Sequence, residues 1–289
     1  MSDNPGTQHD TATIEQVEAS VQRNLARREA RARMSAIVSP LAVVVTLLVL
    51  WEAATHALSI PPFLLPAPSA IVASMRANAS LLLFNGWITT VEIVLGFLLS
   101  IVVGIPLALA IFLWPPFSRS ILPLLVSSQA MPKVAVAPLL LVWFGFGLLP
   151  KVLIAFLIAF FPIVINTAVG LASIEPEKIQ LARSMGFGAA ATFFKIRLPA
   201  ALPSIFGGLK ISITLAVVGA VVGEFVGGDA GLGYLLMVAN GSMDTQLLFA
   251  GIVGLTILGV ALYLLVELAE RLAIPRHIIA ADKGARESM

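Results

Sequence analysis

The chain has no cysteine and only three histidines, His9, His56 and His277, in 289 residues. The first absence excludes disulfides and thiolate metal ligands. The second leaves no His-x-x-x-His or His-Glu-x-x-His spacing, so no metal site is expected. Charge is also scarce: Asp, Glu, Lys and Arg make up 12% of the residues, about half the share usual in a soluble domain. With 58% hydrophobic residues, the chain cannot cover its surface with polar groups in water. It can do so in lipid, where apolar side chains face acyl tails. The net charge is only +2 and the bases are scattered, which argues against a nucleic-acid partner. No Gly-x-x-x-x-Gly-Lys-Ser/Thr phosphate loop occurs, and no Ser, His and Asp pattern suggests a nucleophile. No catalytic residue and no cofactor bound by this chain are therefore expected.

What is present is a series of apolar runs near the roughly 20 residues that a crossing helix needs. Six are expected, over residues 36–58, 87–113, 121–145, 152–171, 202–226 and 247–268. The fold class is thus all-α, a polytopic membrane protein with about six transmembrane helices. Trp87 and Trp114 bracket the second run, and their separation is about 40 Å of helix. Tryptophan favours the membrane–water interface, so the pair marks opposite edges of one crossing. Pro123, Pro132 and Pro138 interrupt the third run. Pro61, Pro62, Pro66 and Pro68 are expected to keep the chain extended after the first run, ahead of a short surface helix over residues 69–83. Fourteen of the 18 Lys and Arg residues fall on one side of this scheme. Only Arg76 and Lys151 are placed in outer loops, so both termini are expected in the cytoplasm. Residues 1–35 form a partly disordered cytoplasmic tail whose arginines, Arg23 to Arg33, favour the anionic leaflet. The membrane domain covers 36–270, and 271–289 form a second cytoplasmic tail.

Residues 173–203, reading SIEPEKIQLARSMGFGAAATFFKIRLPAALP, are the longest polar interruption on the inner side. Ser173 is a candidate helix cap, with Pro176 in the first turn and Glu175 and Glu177 favoured by the dipole. Gly186 and Gly188 permit the turn that ends that helix. A second short helix then runs to Leu198, where Pro199 stops it. Ala182 and Gly186, four residues apart, share one face, which as a small-residue surface would let a partner approach closely.

This segment resembles the loop motif of type I ABC importer permeases, which reads Glu-Ala-Ala, three residues, Gly, nine residues, Ile-x-Leu-Pro. Here the sequence has Gln180, Leu181, Ala182, then Gly186, then Ile196, Arg197, Leu198 and Pro199. The spacing matches, and the departure is Gln180 in place of Glu, which removes any ion pair that the Glu would form. PKVAVAPLLLVWFGFG (132–147), GEFVGGDAGLGYLL (223–236) and ELAERL (267–272) are similar to the nitrate, sulfonate and taurine group of these permeases, which also includes permeases for pyrimidine thiamine precursors. The resemblance implies the type I importer permease fold in a bacterial inner membrane. It implies two permease subunits, by default a homodimer, and two cytoplasmic ABC ATPase subunits that carry ATP and Mg. It also implies an extracytoplasmic substrate-binding protein. The ATPase-coupling residues it points to are Gln180, Leu181, Ala182, Arg183, Ser184, Gly186, Ile196, Leu198 and Pro199. The substrate it implies is a small anion or organic solute such as a sulfonate, taurine, nitrate or a pyrimidine precursor.

Ionisable groups inside a bilayer are costly and tend to face the bundle interior. Gln129, Lys133, Asn166 and Glu224 are the candidate substrate-pathway residues. Lys133 is either a counter-charge for an anion or a structural partner of Glu92 or Glu224. Glu224 precedes a glycine-rich stretch and is either part of an outer gate or a capped carboxylate in a tight turn. The alternative function is an ion-coupled secondary transporter, which would show paired broken helices in two inverted halves. One proline-interrupted run is present, and no mirrored partner.

Overall fold

The computed structural model describes residues 42–274. The expected tail 1–35, the first six residues of the first expected run and residues 275–289 lie outside the described residues. The chain separates into two units, residues 1–69 and 70–289.

In the first unit, α1 (Ala42–Ala57) is an apolar helix. The chain then turns rather than staying extended: the Leu64 and Leu65 N–H groups both donate to the Pro61 carbonyl, at 2.9 and 3.3 Å. Glu52 anchors the far end of this turn. Its carboxylate accepts from the Ser69 N–H at 3.0 Å and the Ser69 hydroxyl at 2.6 Å. Ser69 opens the helix α2 (Pro68–Ala77), and a carboxylate is favoured at such an N-terminus.

The second unit holds α3 (Ala79–Leu113), α4 (Pro115–Gln129), a 3-10 turn (Lys133–Val136), α5 (Ala137–Phe144) and α6 (Leu148–Ala172). After these come α7 (Pro176–Ser184), α8 (Ala189–Thr192), a π turn (Phe193–Arg197), α9 (Leu198–Gly227), α10 (Leu232–Gly241) and α11 (Thr245–Ala273). Helices α3, α6 and α11, and the run Ala189–Gly227 that contains α9, are each long and apolar enough to cross a membrane. They correspond to the second, fourth, sixth and fifth expected runs. The third run is not one continuous helix. Pro115–Gln129 and Lys133–Phe144 meet at 87°, with Pro132 at the break, because proline removes a backbone donor and blocks the preceding turn. The second helix starts at Ala79, before Trp87, and is 35 residues long, or about 52 Å. Trp87 and Trp114 are both two-thirds exposed.

Helix α6 is the most enclosed of the four crossing helices and α11 the least. Ile93 and Phe97 of α3, Ala159 and Ile163 of α6 and Ile213 and Ala216 of α9 form the central apolar cluster. Lipid tails are as apolar as these side chains, so close packing and interhelical hydrogen bonds must hold the helices together. Ala155 of α6 is the point of closest approach on both sides. A Cβ added at Gly96 of α3 would lie 2.6 Å from the Ala155 Cβ, and one at Gly219 of α9 would lie 2.5 Å from the Ala155 Cα. Two hydroxyls stitch the same helices. Ser212 donates to the Ala159 carbonyl at 2.6 Å, and Ser100 lies 3.2 Å from the Phe156 carbonyl.

Gly219→Val should therefore force α9 from α6 at the cost of roughly 1–3 kcal/mol or more. Gly207→Ala, in the same helix but facing open space, should be neutral. Thermal unfolding in detergent checks this. A Gly219→Val protein as stable as the wild type would show that the contact at Ala155 is dispensable.

Candidate functional site

The two polar ends of the α6–α9 pair carry different groups. At one end, α6 passes into α9 through α7, α8 and the π turn. Ser173 does not cap α7. Its hydroxyl donates to the Gly170 carbonyl at 2.9 Å and closes α6. Glu175, in extended conformation, is the N-cap of α7, with Pro176 in the first turn. Serine is the favoured cap type by sequence, and Pro176 is found in the first turn as expected.

The elbow forms as expected at Gly186. The Gly186 N–H donates to Arg183 and the Phe187 N–H to Ala182, both at 3.0 Å. With φ of +83° at Gly186, this is a Schellman closure, which satisfies the last carbonyls of α7. No atom lies within 4 Å of a Cβ placed there, so backbone conformation, not crowding, favours glycine.

Pro199 does not end the second helix. The π turn runs directly into α9, and Ala189–Gly227 is one 39-residue apolar helix. Pro199 would clash with the carbonyl four residues back, at Lys195, and that residue lies inside the π turn. The widened turn absorbs the clash that would break an α-helix.

Ala182 is only 2% exposed. It faces its own chain, so at Ala182 the small-residue face seats α7, and only Gly186 stays open. The free face carries Leu181 and Met185, which are 63% and 68% exposed, with Gln180, Ser184 and Gly186 also exposed, whereas Arg183 is exposed on the side of α7 toward Phe112 and Arg197. Ile196, Leu198 and Pro199 are half-buried in the turn and the first residues of α9.

At the other end, α10 starts against side chains from α3 and α9. The Gly231 N–H donates to Asn85 Oδ1 and the Leu232 N–H to Thr89 Oγ1, both at 2.8 Å. The Gly233 and Tyr234 N–H groups both donate to Glu224 Oε2, the second at 3.3 Å. Thr89 donates to Glu224 Oε1 at 2.6 Å. The donors that a helix N-terminus leaves unpaired are thus met by three side chains, two of them, Asn85 and Thr89, distant in sequence. Glu224 is 1% exposed, and its carboxylate caps α10. A Cβ at Gly231 would collide with that carboxylate, and one at Gly233 would lie 2.7 Å from it, which explains both glycines.

Beside this cap lies an ion pair that sequence reasoning missed. Lys151 Nζ is 3.0 Å from Glu92 Oε1, with both side chains almost fully enclosed. It also reaches Asp229 and the Ala230 carbonyl, each at 3.5 Å. Lys151 was expected in an outer loop, but it sits in the first turn of α6, only 3% exposed. Its partner lies 59 residues earlier, in α3.

Lys133 pairs with neither Glu92 nor Glu224. Its ammonium sits 4.3 Å from the centroid of the Phe161 ring, half-buried in the 3-10 turn. Gln129 is exposed at the end of α4. Asn166 donates to the Pro162 carbonyl at 2.8 Å where α6 meets Gly208 of α9. These three residues and Glu224 are not brought to one point by any contact. Among the described residues, no group of His, Asp and Glu could hold a metal ion.

Replacing Lys151 by Met should leave Glu92 buried without its counter-charge and cost about 3–5 kcal/mol. Adding Glu92→Met should recover most of that loss. Unfolding of the single and double variants measures the coupling; purely additive effects would show that the pair holds nothing together.

Comparison with known proteins agrees with this architecture. Residues 96–277 match the family described as binding-protein-dependent transport system inner membrane component. The riboflavin transport system permease protein RibX of Chloroflexus aurantiacus is 40% identical over 79% of this chain and 86% of its own length. The formylaminopyrimidine transport permease protein ThiX of Halalkalibacterium halodurans is 36% identical over 79% of this chain and 92% of its own. The taurine transport system permease protein TauC of Escherichia coli is 29% identical over 83% and 89%. A solved structure of the MetNI methionine ABC transporter, in inward facing conformation, shares the fold with a TM-score of 0.56 at 20% identity, covering 70% of this chain and 96% of that one. With its apolar crossing helices, its two-helix loop and this family match, the chain belongs to the inner-membrane permeases of binding-protein-dependent ABC importers, a family of transport subunits that are not themselves enzymes.

Proposed function

We propose that this chain forms half of an importer's substrate pathway and receives the motion of a separate ATPase through α7 and α8. The observation that carries this reading is the exposed face of Leu181 and Met185 on a short helix fixed at both ends. One end joins α6 across Ser173 and Glu175. The other runs through the Gly186 closure and the π turn into α9. A push on α7 is therefore delivered to the two most closely packed helices of the bundle. Exposed large apolar side chains at a polar end mark a protein partner.

The chain contains no phosphate loop, so ATP and Mg belong to the ATPase subunits. Gln180 offers a hydrogen bond there in place of a charge. A second copy of this chain and an extracytoplasmic binding protein complete the assembly, with both termini on the ATPase side. Gln129, Lys133 and Asn166 are the pathway groups in this reading, whereas Glu224 positions α10. The substrate class is a small organic solute. Relatives named for riboflavin, a formylaminopyrimidine and aliphatic sulfonates match at 40%, 36% and 35%, against 29% for the taurine permease. A half-buried ammonium over an aromatic ring suits a flat, oxygen-bearing heterocycle.

Leu181→Asp should abolish co-purification with the ATPase and ATP-driven uptake while the permease still folds. Gly186→Val should weaken both, because a β-branched residue cannot hold the left-handed conformation without strain of about 1–2 kcal/mol. An ATPase that binds Leu181→Asp as tightly as wild type, or uptake driven by an ion gradient without any ATPase, would overturn the coupling role.

A further inference from the structure

We propose that the junction of α3, α4, α6 and the π turn is a binding site for an anionic phospholipid. Two clefts meet there. One, of about 500 Å³, is walled by Phe112, Pro115 and Phe193 and bears Arg183 and Arg197. The other, of about 380 Å³, is lined by Leu122, Ile165, Val169 and Ala172. Phe112 and Pro115 line both, so the clefts adjoin at these two residues.

The first cleft is cationic and the second apolar. No acidic side chain lines either one among the described residues. Arg197 is held in place at the boundary. Its guanidinium carbon is 4.9 Å from the Phe112 ring centroid, and Nη1 donates to the Leu171 carbonyl at 3.4 Å. Arginine forms planar paired hydrogen bonds to phosphate oxygens, and this anchoring leaves its remaining N–H groups free to do so. Arg183 is exposed on α7 and supplies the second charge.

Depth in the membrane favours a lipid. Trp114, one residue beyond the crossing helix α3, is 67% exposed, and tryptophan at such a helix end favours the membrane–water interface. A headgroup phosphate would meet Arg183 and Arg197 at that level. One acyl chain would lie along the second cleft, between α4 and α6. A free phosphate would use the first cleft and leave the second empty. A lipid seated there would bridge α3, α6 and the elbow of α7 and α8. It would thereby stiffen the lever and raise the share of ATP hydrolysis that produces transport. This site does not depend on the identity of the transported solute.

The test uses the complete transporter in nanodiscs of phosphatidylcholine with and without phosphatidylglycerol. After extraction, retained lipid is counted by mass spectrometry. Phosphatidylglycerol should be retained over phosphatidylcholine. Arg197→Gln should weaken that retention roughly tenfold, the scale of one lost charge-assisted hydrogen bond, and Arg197→Lys should recover part of it. Ala172→Leu fills the apolar cleft without changing charge. It should weaken long-chain phosphatidylglycerol but not its short-chain analogue. Equal retention of both lipids, or retention unaffected by both Arg197→Gln and Ala172→Leu, overturns the proposal. So does inorganic phosphate that displaces the lipid while Ala172→Leu has no effect. A cleft closed by a second copy would also overturn it, and would show as no retained lipid in the assembled wild type.

Discussion

The close approach of α3 and α9 to α6 at Ala155 is the constraint on which the other features rest. In lipid there is no hydrophobic drive to bring helices together. Gly96 and Gly219 let two backbones come within contact of one small residue. At that separation the Ser100 and Ser212 hydroxyls reach carbonyls on the neighbouring helix. The same separation sets the spacing at both ends of the pair: at one end it brings Lys151 to Glu92, and at the other it fixes the span that α7 and α8 must bridge.

The polar end around α10 shows how buried charge is tolerated at such an interface. One carboxylate, Glu92, has a lysine at 3.0 Å. The second, Glu224, has no lysine within hydrogen-bonding distance. It is met by a threonine hydroxyl and two backbone N–H groups at a helix N-terminus. Helix N-termini favour negative charge because their donors are unpaired and their dipoles aligned. The cluster thus joins α3, α6, α9 and α10. Its chemistry is that of a fastening.

Long apolar runs were legible in sequence because hydropathy is a sum over many residues. Four crossing helices appear where their composition placed them, and the proline-rich third run is broken at Pro132. The Gly186 elbow was legible because a positive φ is a local demand that few residues meet. What sequence did not show depends on tertiary partners. Lys151 read as a loop base because Glu92 lies on another helix. Leu232–Gly241 did not read as a helix because its N-terminal donors are satisfied by Asn85, Thr89 and Glu224. Pro199 read as a stop because proline ends ordinary helices, and a π turn removed the conflict. Ala182 read as a docking face because its burial against the chain is invisible to spacing.

The central claim is that α7 meets the ATPase through Leu181 and Met185 while Ala182 is turned inward. The absence of native cysteine makes this directly measurable. Single cysteines at Leu181, Ala182 and Met185 can be tested for cross-linking to the ATPase in the assembled transporter. The account predicts strong cross-linking from Leu181→Cys and Met185→Cys and little from Ala182→Cys. Cross-linking strongest at Ala182→Cys, or absent from all three in a transporter that still couples hydrolysis to uptake, would contradict it.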